Sequence, residues 1–402
     1  MTIIYIATVS VAGEDLDLIL DTGSTDTFVL SAQPDDYEGA DPTSLPPLFD
    51  NSTAQGVTYT GLQYNASYGS GQGITDTLGA IGLAPVSING TGLTANNLTF
   101  ANLYQSSSGT GASGLLGLGF PLNGDIFLTI CEAFNATGQP LSIQQASAYY
   151  PLVPTLQQQG LISSSIFSLV VDRIPGSLQA PSDETVFNYT MANGTFTFGD
   201  YPEGYTESQF TFSPVPTAEI NELGQSIGIP GVTGNRWTTP LEYVYFNGIR
   251  LTNTTQQPSL RDDEGYFFAL VDSGNPSLTF PSDMMSQMTN AYAGNPDNTT
   301  IPCDSDFELI LQFAGKNFTL AKEDILVPSY LAIDSIGLGG AATEQCQFQA
   351  QPDDPTEDEF GPFTSITYQF GDPLLRNVAM VFDYGNVQDS SSSGPRMGFV
   401  QR

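Results

Sequence analysis

The chain reads as a mostly β protein of two related halves. Three observations predict this: many short β-type runs divided by turn residues, a small charged fraction, and an acidic tripeptide motif that occurs twice. Hydrophobic residues make up 40% of the 402 residues and charged ones 13%, with 41 Gly and 27 Pro. Such a composition suits a soluble, turn-rich β fold better than a helical bundle, and the length allows about two domains, each with a sizeable core.

Taken in chain order, runs rich in β-branched and aromatic residues fall at 3–11, 15–20, 63–68, 166–171, 195–198, 241–245, 267–271 and 379–382, bounded by Gly, Asn, Asp and Ser. The best helix signal begins after Pro281 with Ser282 as its N-cap and runs through Tyr292 to stop at Gly294; a weaker one covers 153–159 before Gly160. Turn-rich, exposed segments are expected at 34–47, 173–185, 217–234, 351–361 and 388–395. The boundary between halves is placed near Pro175, giving an N-terminal lobe of residues 1–175 and a C-terminal lobe of residues 176–402.

The repeated motif is Asp21-Thr22-Gly23 after Asp17-Leu18-Ile19-Leu20, and Asp272-Ser273-Gly274 after Phe267-Phe268-Ala269-Leu270-Val271. Each acid ends an apolar strand, where a carboxylate is costly unless partners satisfy it, so the repeat implies a pair of acids that act together. Each half also has a later run, Leu115-Leu116-Gly117-Leu118-Gly119 in the first and Phe370-Gly371-Asp372-Pro373-Leu374-Leu375-Arg376 in the second. The duplication is weak in identity but ordered, and it predicts a pseudo-twofold.

Charge excludes several function classes. With 43 acidic residues against nine basic ones, a formal charge of −34, and no Lys or Arg before Arg173, the chain lacks the basic patch that nucleic acid or an anionic membrane surface would need. The absence of histidine excludes Ser-His-Asp and Cys-His catalysis and most zinc sites, so no metal or cofactor is expected. Any catalysis falls to carboxylates.

Cys131, Cys303 and Cys346 are too few for a disulfide scaffold, and an odd count leaves at least one thiol unpaired or paired between chains. Glycosylation sequons occur at Asn51, Asn65, Asn89, Asn97, Asn135, Asn188, Asn193, Asn253, Asn298 and Asn317, a density that favours a secreted glycoprotein over chance Asn/Thr-rich turns. The opening Met1-Thr2-Ile3-Ile4-Tyr5 has no basic n-region and reads as a strand, not a signal peptide, as expected of a chain that was trimmed or is numbered from an internal start. No run approaches the roughly 18 apolar residues a membrane span needs.

Two carboxylates a few Å apart cannot both ionise comfortably, so they share a proton. The ionised member can activate a water while the protonated one hydrogen-bonds a scissile carbonyl. Asp-Thr-Gly paired with Asp-Ser-Gly resembles the pepsin-like aspartic proteases, and supporting matches follow in the family's order: 6–11, 18–24, Ser67-Tyr68-Gly69-Ser70-Gly71, 114–119, 160–171, Trp237, 269–274, 370–378 and 381–384. The resemblance covers nearly the whole chain and is strongest to secreted fungal members. It implies a bilobal fold with an interlobe sheet, protein or peptide substrates, and a monomer.

Carried over residue by residue, the resemblance makes Asp21 and Asp272 the dyad, with the Thr22 and Ser273 hydroxyls locking the two loops together. Gly23 and Gly274 would permit tight turns and close approach of substrate, and Ser24 would donate to the outer oxygen of Asp21. Tyr68, beside Gly69 and Ser70, would close as a flap over substrate. Ile19, Leu115 and Tyr68 would line the pocket before the cut and favour hydrophobic or aromatic residues, although Ile19 and Leu115 alone read as core. Ser70 stands where some fungal relatives carry an Asp that can pair with a substrate lysine, so lysine should be disfavoured. Cys303 and Cys346 resemble the family's second-lobe disulfide, leaving Cys131 buried and inert.

Four departures stand out against the family. Phe28 replaces a Trp whose indole N–H joins the flap tyrosine's hydrogen-bond chain. Asn275 replaces the hydroxyl residue after the second Gly and would have to support Asp272 through its amide, while Pro276 lacks a substrate-binding hydroxyl. Gln369 replaces an apolar residue before Phe370-Gly371. The chain also begins late, so the first interlobe strand is expected to be short or missing, and the stretch from Gly117 to Asp272 is long. These departures keep open an alternative in which a catalytically weak pepsin-like protein binds proteins or cell-wall glycans. A two-carboxylate glycosidase has no support beyond the acids themselves.

Overall fold

The computed structural model describes residues 5–32, 46–68, 75–106, 112–173, 194–216, 236–253, 265–293, 300–302, 304–328, 345–353, 366–385 and 394–402. The segments expected to be turn-rich fall almost entirely outside these ranges.

In the first half, β1 (Ile6–Val11), β2 (Glu14–Asp21), β3 (Thr27–Leu30), β4 (Thr58–Tyr68), β5 (Thr75–Ile88), β6 (Leu93–Ser106) and β7 (Gly114–Gly117) form a seven-stranded sheet in the order β1-β2-β7-β3-β6-β5-β4. The β1–β2 hairpin turns at Ala12 and Gly13, both with positive φ, the two-residue geometry that matches strand twist. After β7 comes helix α1 (Asp125–Ala136), which buries Ile126, Phe127, Ile130 and Cys131 along one face.

In the second half, β11 (Thr238–Leu241), β14 (Phe267–Val271), β15 (Leu278–Phe280), β21 (Ala350–Pro352) and β22 (Ile366–Phe370) form a sheet ordered β11-β14-β22-β15-β21. Beside it lie a sheet of β12 (Tyr243–Phe246), β13 (Ile249–Arg250), β17 (Leu309–Phe313) and β18 (Lys316–Leu320), and another of β16 (Thr300–Pro302), β19 (Leu326–Pro328) and β20 (Gln345–Phe348).

The duplication expected from the motifs is visible in strand pairing. Strand β2 runs parallel to β7, which pairs antiparallel with β3; β14 runs parallel to β22, which pairs antiparallel with β15. Asp21 therefore sits opposite Gly117, and the amide of Asp272 bonds the Phe370 carbonyl at 2.9 Å, one residue before Gly371.

A further sheet joins the halves: β8 (Ile166–Val171), β9 (Gly194–Phe198), β10 (Thr211–Pro214), β23 (Val378–Asp383) and β24 (Arg396–Gln401), ordered β10-β24-β23-β8-β9. Strand β8 precedes the expected boundary near Pro175 yet pairs with β23 close to the C-terminus. Over this sheet sits a fully buried aromatic cluster. Trp237 packs 4.3 Å from Phe120 and 4.8 Å from Tyr384 between ring centroids, and Phe167 stacks on Phe382 at 4.6 Å. The Trp237 indole N–H and the Tyr384 hydroxyl both donate to the Leu118 carbonyl, at 2.7 and 2.6 Å, so polar tips inside the cluster are satisfied and tie second-half residues to the first half.

Both expected helices form, as Leu152–Gln158 and Ser282–Ala293, the latter with Ser282 inside its first turn instead of ahead of it. The run at 241–245 breaks at Glu242, between β11 and β12. Cys131 is a buried free thiol, pushed up to about 12 chiefly by burial. Cys346 is buried in β20, while Cys303 lies outside the described residues. Among the described residues no helix is long and apolar enough to cross a membrane.

Candidate active site

The site begins where two strands end. Asp21 is the last residue of β2, and Asp272 follows directly on β14; they are 7% and 8% exposed, low for carboxylates and so in need of partners. The loops behind them are locked reciprocally. The Thr22 hydroxyl donates to the Val271 carbonyl at 2.8 Å and accepts the Ser273 amide at 2.9 Å, while the Ser273 hydroxyl donates to the Leu20 carbonyl at 2.7 Å and accepts the Thr22 amide at 3.0 Å. Both side chains are fully buried, so these four bonds have no water to compete with them.

Gly23 and Gly274 serve a closer neighbour than substrate. A Cβ on Gly23 would lie 2.5 Å from both carboxylate oxygens of Asp272, and one on Gly274 would lie 2.8 Å from Asp21 Oδ1. Neither glycine has a positive φ; what demands them is the opposite aspartate.

Each carboxylate is held at both oxygens. Asp21 Oδ1 accepts the Gly23 amide at 2.8 Å and its Oδ2 accepts the Ser24 hydroxyl at 2.5 Å, as expected. Asp272 Oδ1 accepts the Gly274 amide at 2.8 Å, but its Oδ2 accepts the side-chain amide of Gln369, not of Asn275. Burial pushes the Asp272 carboxyl well above the usual carboxylate range, the Asp21 charge and hydrogen bond push it further, and the Gln369 and Gly274 donors pull it back. The closeness of Asp21 thus favours the protonated form of Asp272.

Asn275 corrects the sequence expectation. Its Oδ1 accepts the Ser277 amide and the Ser277 hydroxyl, both at 2.9 Å, closing a local turn. Its Nδ2 is buried with no hydrogen-bond partner among the described residues and does not reach Asp272.

Ile19 and Leu115 are buried and lie opposite each other on β2 and β7, with Phe28 opposite Leu115 on β3. Tyr68 is the last residue of β4; the surroundings of its side chain, and Gly69 and Ser70 altogether, lie outside the described residues. Of the sequons, Asn51, Asn65, Asn89, Asn97, Asn135 and Asn317 are exposed and Asn253 is half-buried, while Asn188, Asn193 and Asn298 fall outside the description.

Sequence reasoning missed two further charged groups. Arg236 immediately precedes Trp237, whose carbonyl accepts the Val271 amide at 2.9 Å, so the register carries Arg236 beside Asp272. Its Nε donates to Asn123 Oδ1 at 3.1 Å, and the charges of Asp272, Asp21 and Asp125 act on it. Asp26, five residues after Asp21, is buried and caps α1 from a distance, accepting the amides of Asp125 at 2.9 Å and Ile126 at 3.2 Å as well as the Tyr64 hydroxyl at 3.2 Å. Desolvation, with the neighbouring Asp125 charge, pushes its carboxyl up to about 7.

Residues 4–392 match the family described as eukaryotic aspartyl protease. The chain belongs to that family. Among curated aspartyl protease relatives, the chain is 24% identical to Aspartic-type endopeptidase ctsD of Aspergillus fumigatus, over 99% of this chain and 65% of that protein. It is 22% identical to Mucorpepsin of Rhizomucor miehei, over 93% of this chain and 74% of that protein, and 25% identical to Rhizopuspepsin-3 of Rhizopus niveus, over 83% and 69%. The chain thus spans about two thirds of the length of these aspartyl proteases.

Proposed function

We propose that this chain is a secreted, acid-acting endopeptidase that hydrolyses peptide bonds with a water held between Asp21 and Asp272. The observation that carries the reading is the pair of buried carboxylates, each gripped at both oxygens and locked to the other through Thr22 and Ser273. The ionised carboxylate takes a proton from the water as its oxygen attacks the scissile carbonyl, and the protonated carboxyl keeps its proton while hydrogen-bonding the developing oxyanion. Collapse of the tetrahedral intermediate breaks the C–N bond, and the leaving amine takes the proton from the acid that received it. The pair returns to its one-proton state.

In this reading residues 1–175 and 176–402 each contribute one acid, Tyr68 with Gly69 and Ser70 closes over substrate, and Ile19 and Leu115 favour hydrophobic or aromatic residues over lysine before the cut. The protein acts as a monomer, Cys303 and Cys346 are bridged, and exposed sequons carry glycans. Support comes from the family, the fungal relatives and the sequon density.

The test is digestion of denatured globin across acid pH, with and without a statine-type peptide inhibitor, with cleavage sites mapped by mass spectrometry. Inhibitor-sensitive cuts beside Phe, Tyr and Leu are expected. A pure, folded protein that cuts nothing between pH 2 and 6, at assay limits of about 10⁴-fold below an ordinary enzyme, would leave the binding-protein alternative standing.

A further inference from the structure

We infer that Gln369 is the positioning residue for Asp272, in the place that the family resemblance gives to residue 275, and that it makes the dyad chemically asymmetric. The inference rests on the proteolytic reading for its kinetic test but not for its thermodynamic one.

The geometry is a matched pair. The inner oxygen of each aspartate accepts a glycine amide at 2.8 Å, and the outer oxygen of each accepts a side-chain donor, Ser24 Oγ on Asp21 and Gln369 Nε2 on Asp272. The donors come from different directions. Ser24 belongs to the loop after Asp21, whereas Gln369 reaches Asp272 from β22, where its Cα is in register with Leu270 of β14.

The second loop has no room to do the same work. A Cβ on Gly371 would run into the Asn275 carbonyl, the Asp272 loop being drawn against the end of β22 by a 3.1 Å bond from the Asp372 amide to that carbonyl. Asn275 spends its Oδ1 on Ser277, and the Gly371 amide closes onto the Ser277 carbonyl at 3.0 Å. With Asn275 turned into this local knot, the outer oxygen of Asp272 is open to a donor from the neighbouring strand.

A hydroxyl and an amide are not equivalent donors. The Ser24 hydroxyl can turn and accept, so it serves Asp21 whether the outer oxygen is ionised or protonated; an amide N–H only donates. In the observed orientation, with Nε2 turned to Asp272, Gln369 supports the outer oxygen while that oxygen is unprotonated, which keeps the shared proton off it and toward the inner face, where water and substrate meet the pair. Among the described residues, Asp21 is the charged group whose field raises Asp272, and Arg236 on the neighbouring strand end feels the charge of Asp272 and Asp21.

Three variants test this: Gln369→Leu, Gln369→Glu and Asn275→Ala. In kcat/KM against pH, Gln369→Leu should lose tenfold or more and move the acid limb to higher pH. Gln369→Glu should retain activity where the new carboxyl is protonated and can donate, and lose it steeply as pH rises through the carboxylate range. In Asn275→Ala the acid limb should stay in place. A parallel measurement needs no activity: the melting-temperature deficit of Gln369→Leu should widen as pH rises from 3 to 6, and this pH dependence should vanish in an Asp272→Asn background. An inactive wild type with that coupling intact would sink the proteolytic reading and keep the assignment. A pH-independent deficit, or an acid limb that moves with Asn275→Ala and not with Gln369→Leu, would overturn it.

Discussion

Thr22 and Ser273 each hold the other's backbone: the hydroxyl of each accepts the amide of the other, at 2.9 and 3.0 Å, and donates to the carbonyl just before the other's aspartate. The two aspartate loops are thus one buried hydrogen-bonded unit made from residues 251 apart in sequence.

Breaking this unit should cost stability as well as activity. Thr22→Val keeps the shape but strands the Ser273 amide and the Val271 carbonyl, and leaving buried groups unpaired costs about 1–3 kcal/mol each. The denaturant midpoint should fall with an unchanged m-value, and a double-mutant cycle with Ser273→Ala should show strong coupling, because both single changes disturb the same four bonds.

Gly23→Ala should leave the protein folded but nearly inert. The added methyl would lie 2.5 Å from both Asp272 oxygens and must push that carboxylate aside. A displacement of roughly 1 Å at reacting groups can cost on the order of 10²-fold in rate. Near-normal kcat/KM in a folded Gly23→Ala protein would mean that the loops part without consequence.

Stability should fall as pH rises toward neutral. Asp26 and Asp372 are pushed up to about 7 by burial, and Asp272, Asp125 and Asp324 are also raised, burial being the first cause in each. With folded values above the unfolded ones, the folded chain keeps protons that the unfolded chain releases. The stabilisation is complete below the unfolded carboxylate range, near pH 4, and is lost as pH climbs to about 7. The melting temperature should be several degrees lower at pH 7.5 than at pH 4.5, and Asp26→Asn, which keeps an acceptor for the α1 amides, should flatten the slope. A higher melting temperature at pH 7.5 would contradict this account.

The paired acids were legible in the sequence because each opens a local tripeptide at the end of an apolar strand, and the order of the flanking motifs carried the pseudo-twofold. Gln369 was seen only as a departure: its partner lies 97 residues away and is reached through strand register, which no local pattern encodes. Helix α1 was missed for a similar reason. Its N-cap is Gly124, with no side-chain cap of its own, and the capping carboxylate is Asp26, about a hundred residues earlier. The long β5–β6 hairpin was missed because its Gly, Thr and Asn content weakens the strand pattern, while pairing on both flanks stabilises it.

Arg236 should set the pH range of the reaction. A guanidinium near the two acids favours the ionised pair, so Arg236→Met should move both limbs of the pH–rate profile upward, by up to about one pH unit, while Arg236→Lys should move them less. Unmoved limbs in Arg236→Met would show that solvent screens the charge from the dyad.

The thiols should divide two to one. Peptide mapping is expected to recover Cys303 bridged to Cys346, and Cys131, free and buried in the fold, should react as a single thiol only after denaturation. A bridge that includes Cys131 would overturn the pairing.

On the proposed reading, Asp21 and Asp272 share one proton and together cleave peptide bonds. The most direct measurement is kcat/KM on a Phe- or Leu-containing peptide at acid pH for the wild type, Asp21→Asn and Asp272→Asn, with each variant's fold checked by its thermal transition. An active wild type is expected, with a loss of at least about 10³-fold in either variant and the transition retained, since neither acid can take the other's part. Substantial cleavage by either folded variant would contradict that reading.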